Sequence, residues 1–385
     1  MSGATKASIT VEVAAFAKAL AGVCSVVYAR STIPILSNIA IRQASGMVRL
    51  VATDLDIEVR LPIAPSAFDG EMAVTVEAAR LSSIFRNLDK GAQAKISLAE
   101  NGRVLVTSGR SRFTLPSLPI ADFPQIAAVE DGTELEFPLS RLKTEWGRLS
   151  SSISTEEVRY YLCGISMRRT EPGKAVVNFA ATNGHTLVRI SDMPDGGDPD
   201  AGVPDVIIPS RLASILMKIW DGTSDDAASE TVRVTVTASK MIFRFGDWHV
   251  TGKMIDGQFP DYERVIPRDS TLVVQVACDD FAAAVRRALL VSSEKSTAVK
   301  ILFEKDKIII SVADAATGTA REEVAADYHG DTLELGVNGK YLIDMLSAVP
   351  GGTARILLAD ASAPIRFESM INDSGFTGVV MPVRV

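Results

Sequence analysis

Apolar and polar residues alternate along the chain in two different periods, and the two patterns predict a series of helices and strands. In the most apolar segment, Phe16, Leu20, Val23 and Val27 fall on one stripe of a helix, which is the pattern of an amphipathic helix that packs on a core. Helices are predicted at residues 11–29, 77–88, 140–151, 210–219, 279–291 and 338–348. Strands are predicted between them, at residues 39–41, 48–60, 95–98, 104–108, 162–167, 176–190, 232–237, 241–245, 300–303, 307–313, 354–358, 365–368 and 378–383.

The clearest turn signal lies in residues 180–190, where Asn183 and Gly184 separate two apolar runs. An Asn-Gly pair in this setting predicts a β-hairpin with a tight turn. Residues 51–60 begin and end in a similar way, and a looser version follows residues 308–314. Three copies of one pattern predict a triplicated unit.

The spacing of the helices agrees with triplication. The second helix of each third begins near residues 77, 209 and 338, so the copies are about 130 residues apart. This period is the size of a domain and exceeds that of a solenoid repeat. We therefore expect an α+β protein of three tandem similar domains, at residues 1–132, 133–268 and 269–385, with polar joints at 130–134 and 267–271.

Composition places the chain among ordinary globular proteins. Of its 385 residues 47% are hydrophobic and 23% are charged, which is enough apolar material for sizeable cores. Three cysteines, an odd number without a CxxC pair, favour reduced thiols and a cytoplasmic location. The apolar run at 11–29 contains Glu12 and Lys18, and residues 1–10 hold no signal-peptide core, so neither a membrane span nor a membrane partner is expected.

Motifs for catalysis or for cofactor and metal binding are missing from the sequence. Residues 336–341 (GVNGKY) lack the spacing of a phosphate-binding loop, and HExxH, GxSxG and GxGxxG do not occur. The three histidines are isolated in sequence and are interpreted as structural or surface residues. Asp54, Asp56 and Glu58 share one face of a strand; a cation site is one interpretation, and a solvated strand face is the favoured one. We therefore expect no cofactor, no metal and no catalytic residue.

Charge is distributed unevenly between the predicted helices and the rest of the chain. The net charge of −7 argues against a generally basic nucleic-acid binder. However, the helical windows 11–30, 77–90, 139–150, 209–220, 279–291 and 338–348 together carry +6, which leaves −13 on the other residues. Helical lysines and arginines that face phosphates would give salt-sensitive, sequence-independent DNA binding. Surface helices often carry such residues without binding DNA, so both interpretations stay open.

Eight segments spread over the whole chain carry a resemblance to a known family. They are residues 30–38 (RSTIPILSN), 52–55 (ATDL), 108–113 (SGRSRF), 121–124 (ADFP), 158–162 (VRYYL), 181–185 (ATNGH), 256–265 (DGQFPDYERV) and 379–385 (VVMPVRV). In this order they resemble the bacterial DNA polymerase III beta subunits, the beta sliding clamps.

The resemblance implies a non-catalytic processivity factor that acts as a ring-shaped homodimer. Helices would line the central hole around double-stranded DNA, and sheets would lie outside, because a head-to-tail interface that closes by rotation makes a ring. The implied partners are the polymerase III alpha subunit, the clamp loader and other proteins with a clamp-binding motif. The implied location of the protein is the cytoplasm, in association with the nucleoid.

The resemblance also implies three sets of site residues. A pocket for partner peptides would use Leu162, Thr182, Gly184, His185, Thr186, Leu187, Pro260, Arg264, Val265, Val379, Val380, Met381, Pro382, Val383 and Arg384. DNA contacts would use Arg30, Tyr160 and Tyr161, with Arg159 and Arg211 nearby. The dimer interface would use Arg110, Arg112, Phe113 and Leu115 on one side and Leu290, Val291 and Glu322 on the other.

One departure from the family pattern affects the predicted pocket. The family hairpin usually reads Asp-Gly-His-Arg, whereas Thr186 follows His185 here. Loss of the arginine removes a hydrogen-bond donor, which predicts an altered ranking of partner peptides. A paralogous clamp for repair or plasmid replication is the main alternative. An enzyme with its site in residues 162–190 and 260–267, and a structural protein that binds no nucleic acid, are further alternatives.

Overall fold

The computed structural model describes residues 7–28, 31–99, 102–127, 131–169, 176–192, 194–197, 202–222, 230–292, 297–371 and 375–384. Within these residues an α-helix occurs at each of the six predicted positions. The helices are α1 (Val13–Val23), α2 (Ala78–Asn87), α3 (Leu139–Leu149), α4 (Ser210–Asp221), α5 (Cys278–Ala288) and α6 (Gly339–Ala348).

The first helix is shorter than the apolar run predicts. Val11 and Glu12 belong to a strand, Ser8–Glu12, and Cys24–Val26 form a 3-10 turn after the helix. Val11 is buried in that strand and Glu12 is exposed, so an alternating pattern runs directly into a helical one. The predicted helix at 11–29 was therefore wrong at its start and at its end.

The strands that the structure describes form antiparallel pairs, which include hairpins as well as pairs of distant strands. In chain order they are β1 (Ser8–Glu12), β2 (Asn38–Ala44), β3 (Met47–Thr53), β4 (Ile57–Ile63), β5 (Ala67–Asp69), β6 (Met72–Glu77), β7 (Gln93–Leu98), β8 (Val104–Ser108), β9 (Ser111–Leu115), β10 (Thr133–Pro138), β11 (Gly164–Arg169), β12 (Val177–Thr182), β13 (Thr186–Asp192), β14 (Gly196–Gly197), β15 (Val206–Pro209), β16 (Thr231–Val236), β17 (Lys240–Phe245), β18 (Trp248–Lys253), β19 (Leu272–Ala277), β20 (Ala298–Glu304), β21 (Lys307–Asp314), β22 (Gly318–Ala325), β23 (Leu333–Asn338), β24 (Thr353–Leu358), β25 (Ile365–Ser369), β26 (Phe376–Val380) and β27 (Pro382–Val383). This mixture of antiparallel sheets and separate helices confirms the predicted α+β class.

The chain folds into two compact units. The first comprises Met1–Arg141, Asp195–Ala201 and Ser214–Met254. It contains a nine-stranded sheet in the order β14-β10-β16-β17-β18-β4-β3-β2-β6 and a five-stranded sheet in the order β5-β1-β7-β8-β9. Strands β4 and β18 pair antiparallel, so residues far apart in sequence share one continuous sheet. Helices α1 and α2 pack on each other through Phe16 and Phe85, whose ring centroids lie 4.5 Å apart.

The second unit comprises Leu142–Pro194, Gly202–Ala213 and Ile255–Val385. Its eight-stranded sheet has the order β15-β11-β12-β13-β26-β25-β24-β19, and its five-stranded sheet has the order β22-β21-β20-β23-β27. Strand β13 pairs antiparallel with β26, with Leu187 opposite Val379. The hairpin of residues 180–190 therefore lies directly beside the strand near the C-terminus, although Leu187 and Val379 are 192 residues apart in sequence.

Asp54, Asp56 and Glu58 do not share a strand face as expected, because Asp54 and Asp56 lie in the turn between β3 and β4, and all three are engaged within the protein. Asp54 accepts hydrogen bonds from backbone N–H groups, Asp56 forms an ion pair with Lys253, and Glu58 is buried against Arg60. In the part of the chain that the structure describes, no group of three or more His, Cys, Asp or Glu residues is arranged to hold a metal ion. Within the same residues, no helix is long and apolar enough to cross a membrane.

Candidate functional site

The turn between β12 and β13 is held by side chains. The Asn183 side-chain oxygen accepts hydrogen bonds from the backbone N–H groups of His185 (2.9 Å) and Thr186 (2.8 Å). The Thr182 hydroxyl accepts from the Gly184 N–H at 3.1 Å and donates to the Thr186 carbonyl at 2.7 Å. Gly184 has φ +89°, a backbone conformation that glycine adopts without strain. The hairpin is confirmed, but its loop spans three residues and not the two predicted.

The same turn chemistry recurs in the other two predicted copies. Asp54 accepts from the N–H groups two and three residues ahead, at 3.1 and 2.7 Å. Asp314 accepts from the corresponding N–H groups at 2.8 and 3.2 Å. Leu55, the counterpart of Gly184, adopts φ +81°. Because the same Asx turn closes all three loops, the similarity read from the sequence is also a similarity of backbone geometry.

A cleft of about 230 Å³ opens beside this hairpin in the second unit. Its walls are formed by three parts of the chain that are distant in sequence. They are Leu162 with the β12–β13 hairpin, the segment around the 3-10 turn Tyr262–Val265, and the strand near the C-terminus. The lining residues are Leu162, Thr182, Gly184, His185, Thr186, Leu187, Pro260, Asp261, Tyr262, Val265, Val379 and Met381. The structure thus brings together ten of the fifteen residues predicted for the pocket.

The floor of the cleft is apolar and rests on a buried cluster. Leu162, Leu187 and Val379 are buried together with Phe259 and Tyr262. Val265 and Met381 stay accessible at the rim, with 49% and 37% of their surface exposed. The Met381 N–H donates to the His185 carbonyl at 2.8 Å, which fixes the chain beyond β26 against the hairpin. Such a shape suits an apolar anchor side chain of a short peptide.

Two cations hold the cleft wall in place. The Arg168 guanidinium lies 4.4 Å from the Tyr262 ring centroid and donates to the Pro260 carbonyl at 3.2 Å. Arg189 pairs with Glu263 at 3.2 Å. Burial raises the pKa of Tyr262, so this phenol stays neutral at physiological pH.

Arg159 lies at the tip of the hairpin. Its Nη2 donates to the Asn183 carbonyl at 3.0 Å, and its Nε donates to Glu156 at 2.9 Å. The hydrogen bond to Glu156 raises the pKa of Arg159, so this guanidinium is charged at any physiological pH. The resemblance predicts Arg159 to lie near the DNA contacts, whereas in the structure its guanidinium contacts the hairpin that borders the cleft.

Thr186 is buried below the hairpin, where its hydroxyl donates to the Ser152 hydroxyl at 3.0 Å. The residue that departs from the family pattern therefore serves the packing of the hairpin as well as lining the cleft. The imidazole of His185, its neighbour, stacks on the Tyr341 ring with centroids 5.6 Å apart. Tyr341 was missed from the sequence because it lies on α6, more than 150 residues from the hairpin, and no local motif marks it.

Five predicted pocket residues do not line the cleft. Val380 is fully buried in the sheet, and Pro382 and Val383 form the short strand β27, which pairs with β23. Arg264 turns outward and pairs with Asp261 at 2.8 Å, and Arg384 is exposed beyond β27. Alternation explains part of the difference, since neighbouring strand residues point to opposite faces of a sheet. Asp261 and Tyr262 line the cleft although the prediction omitted them, and both belong to the quoted segment 256–265.

The residues predicted to contact DNA have different surroundings. Arg30 lies outside the described residues. Tyr160 is half exposed and meets Tyr161 edge to face at 5.7 Å, while Tyr161 packs against the apolar cluster under the cleft. Arg211 is half-buried in the first turn of α4. Tyr160 is thus the accessible aromatic of this set.

The residues predicted for the dimer interface lie at two sheet edges and in the 3-10 turn that follows α5. Arg110, Arg112, Phe113 and Leu115 follow the β8–β9 hairpin, and β9 is the edge strand of the first unit's five-stranded sheet. Glu322 lies on β22, an edge strand of the second unit, and accepts from Arg287 at 2.6 Å. Leu290 is 82% exposed in the 3-10 turn Leu289–Val291. The hydrogen bond from Arg287 lowers the pKa of Glu322, so this carboxylate stays charged.

Comparison with known families identifies relatives over nearly the entire chain. Residues 7–127 match the model of the DNA polymerase III beta subunit N-terminal domain, residues 136–261 the central domain, and residues 263–384 the C-terminal domain. The chain is 37% identical over 379 residues to the beta sliding clamp of Caulobacter vibrioides strain NA1000, which covers 98% of this chain and 100% of that protein. It is 32% identical over 356 residues to the beta sliding clamp of Escherichia coli K12, with 92% and 94% covered.

Solved structures show the same similarity at the level of the fold. The sliding clamp of Bartonella birtlesii, crystallised with bound griselimycin, superposes with a TM-score of 0.92 at 34% identity. The match covers 99% of this chain and 100% of that one. The three-domain fold expected from the sequence is therefore the fold of this chain.

Proposed function

Because the chain belongs to the DNA polymerase III beta subunit family, the beta sliding clamps, we propose that the cleft beside the 182–187 hairpin is its docking site for partner peptides. The protein is a non-catalytic DNA sliding clamp, a processivity factor of DNA replication. As in its family, it encloses duplex DNA as a ring-shaped dimer. The match of three consecutive domain models over residues 7–384 is the observation that carries this function. We propose domain limits at 1–132, 133–268 and 269–385.

The physical character of the cleft supports peptide docking. Its floor is formed by Leu162, Leu187 and Val379, and Met381 at the rim has a flexible side chain that repacks around different anchors. Backbone groups at the hairpin tip and the guanidinium of Arg159 supply polar contacts at one end. We propose the polymerase III alpha subunit and the clamp loader as partners, with the protein in the cytoplasm on the nucleoid.

Peptide docking is tested by fluorescence polarisation with a labelled hexapeptide that carries leucine and phenylalanine anchors. Val265→Asp places a charge on the apolar rim, and we expect it to weaken binding by about tenfold or more. Val158→Asp is the matched control, since Val158 is 93% exposed and does not line the cleft. If Val265→Asp and the unaltered protein bind the peptide with equal affinity, the peptide does not dock in this cleft.

DNA enclosure by helix cations is tested separately. Arg211→Glu combined with Lys218→Glu reverses two charges on α4. If cations on this helix face the enclosed duplex, the altered ring slides off linear DNA faster and its retention depends less on salt. Unchanged retention and salt dependence would show that Arg211 and Lys218 do not contact the enclosed DNA.

The identity of the partner set depends on Thr186. We propose that the hairpin's threonine changes the ranking of peptides, because it offers one hydroxyl, already donated to Ser152, in place of a guanidinium. The variant Thr186→Arg should change the order of affinities within a panel of peptides. An unchanged order in a competition assay would contradict this proposal. A protein that binds only repair-polymerase peptides would instead be a paralogous clamp.

A further inference from the structure

A row of basic side chains crosses the nine-stranded sheet of the first unit, away from the cleft. Six consecutive strands contribute one residue each, and we call Arg42, Arg49, Arg60, His249, Arg244 and Arg233 the basic row. Arg233 pairs across strands with Arg244, Arg244 with His249, and His249 with Arg60. Arg42 pairs with Arg49, and Arg60 lies opposite Val51, two residues from Arg49 on the same face.

These residues share the face of the sheet that points away from the core. Their chain neighbours are the buried apolar residues of the same strands: Ile41, Leu50, Val59, Val250, Phe243 and Val234. Side chains alternate between faces along a strand, so the basic residues lie on the opposite face, where Arg49, Arg233 and His249 are exposed and Arg42, Arg60 and Arg244 are half-buried. A solvent-facing row with no alternation of sign is unexpected in a protein of net charge −7, because like charges opposite one another destabilise a sheet.

Carboxylates neutralise only part of the row. Arg60 pairs with Glu58 and Arg233 with Glu136. Arg244 donates to the Thr235 hydroxyl at 2.7 Å. The Arg49 side chain is exposed, and its guanidinium makes no ion pair or hydrogen bond with any residue that the structure describes. The pKa of His249 is lowered by burial and by the charges of Arg244, Arg60 and Arg49, against one raising charge at Asp247. Arg49 and Arg244, on either side of Arg60 and His249, therefore carry positive charge without a counterion from the described residues.

A cleft of about 400 Å³ opens at this point of the sheet. It is lined by Met47, Arg49, Arg60, Pro62 and His249. Met47 is 44% exposed, so the cleft presents apolar surface between the cations. We propose that the basic row binds an extended acidic segment of a partner protein, with an aliphatic side chain of that segment over Met47 and Pro62.

Spacing and chemistry favour a peptide over other anions. Strands lie about 4.8 Å apart, so Arg49 and Arg244, three strands apart, are separated by roughly 14 Å. Carboxylates at positions i and i+4 of an extended peptide are also separated by roughly 14 Å, at about 3.4 Å per residue. An extended peptide with acids four residues apart therefore matches the separation of Arg49 and Arg244, and both acids face the sheet because side chains alternate with a period of two. Surfaces that hold single-stranded nucleic acid add aromatic rings for base stacking, and apart from His249 the described residues of this cleft carry none. The inference does not rest on the peptide-docking cleft of the second unit.

The test uses the full-length protein and a fluorescein-labelled twelve-residue peptide that alternates glutamate with alanine and leucine. The same peptide with glutamine at every acidic position is the negative control. We expect binding at about 50 mM salt that weakens at 200 mM, and we expect Arg49→Glu to weaken it by about tenfold. Arg355→Glu is the matched variant, because it makes the same charge change at an exposed arginine on β24, paired with Glu368.

An independent readout comes from His249 itself. If a carboxylate binds beside it, the pKa of His249 rises on addition of the peptide, which NMR detects as a shift of its ring-proton titration. The proposal is overturned if the glutamate peptide does not bind, or if Arg49→Glu and Arg355→Glu weaken it equally. It is also overturned if a single-stranded oligonucleotide of the same charge loses affinity with Arg49→Glu while the peptide does not, since the row would then bind nucleic acid.

Discussion

Gly184 shows how one residue without a side chain supports the docking cleft. Its φ is +89°, and a Cβ atom built there would lie 2.8 Å from Nη1 of Arg159. We expect Gly184→Ala to lower the free energy of unfolding by about 1 kcal/mol through backbone strain. We also expect it to weaken peptide binding severalfold, because Arg159 must move away from the hairpin tip. Urea unfolding and fluorescence polarisation measure the two effects.

Gly102 provides the control for this variant. It has φ +73° and no atom within 4 Å of the position of a Cβ, so Gly102→Ala introduces similar strain without displacing a neighbour. It should therefore cost similar stability and leave peptide affinity unchanged. If both variants weaken binding to the same degree, the effect arises from general destabilisation and not from Arg159.

The cysteines give a second prediction for single residues. Burial raises the pKa of Cys24 to about 12 and that of Cys278 to about 11, against 9.0 for a free thiol. Only the thiolate reacts, and at pH 8 the fraction of Cys24 that is thiolate is about a thousandfold smaller than that of a free thiol. We expect iodoacetamide at pH 8 to leave both unlabelled in the folded protein, with labelling in urea, by mass spectrometry. Rapid native labelling of Cys24 would contradict this burial.

The docking cleft could be predicted only in part from the sequence. Leu162, Leu187 and Val379 are apolar strand or turn residues, and without a relative the best interpretation of such residues is plain core. The resemblance identified the region but not which side chains face outward, so Val380 was included although it is fully buried. Tyr341 and the position of Arg159 depend on contacts between distant segments, which no local pattern encodes.

At the scale of the element, helix α6 begins with an N-cap, Asn338, and its first turn carries Tyr341, the ring that stacks on His185. The Asn338 side chain accepts from the N–H groups of Lys340 at 3.0 Å and Tyr341 at 3.4 Å. We expect Asn338→Ala to lower the free energy of unfolding by about 1 kcal/mol, the usual value of an N-cap. Glu12→Ala is the control, because Glu12 precedes α1 without a side-chain cap. Equal loss of stability in both variants, measured by urea unfolding, would contradict a capping role for Asn338.

The elements themselves were largely predictable because periodicity is a local property. All six helices occur where the apolar stripes indicated them, and the hairpin at residues 180–190 is present. The prediction was wrong where a strand pattern changes into a helix pattern, as at Val11 and Glu12. It also missed strands that lead directly into helices, namely β1, β10 and β19. Pairing of β13 with β26 and of β4 with β18 joins distant segments and follows from the tertiary fold, not from any local pattern.

At the scale of the whole molecule, we expect two open sheet edges, β9 and β22, to meet between the subunits of the ring. Arg110 in the turn before β9 and Arg112 on β9 give one edge a charge of +2, whereas Arg321, Glu322 and Glu323 give β22 a charge of −1, so the two edges have opposite net charge. Unpaired edges of complementary charge favour pairing of β9 with β22 of a second subunit. We expect light scattering to give a mass near twice 41.1 kDa across a dilution series.

Charge reversal on one edge should open the ring. Arg110→Glu with Arg112→Glu places like charges across both interfaces of a closed dimer, so the dissociation constant should rise by about a hundredfold or more. Arg355→Glu leaves the edges unchanged and should leave the mass unchanged. Since a ring of two subunits has two identical interfaces, the double variant loses both contacts together and should pass directly to monomers near 41.1 kDa. A dimer that persists in the double variant would place the subunit interface elsewhere, and DNA retention would then not depend on β9 and β22.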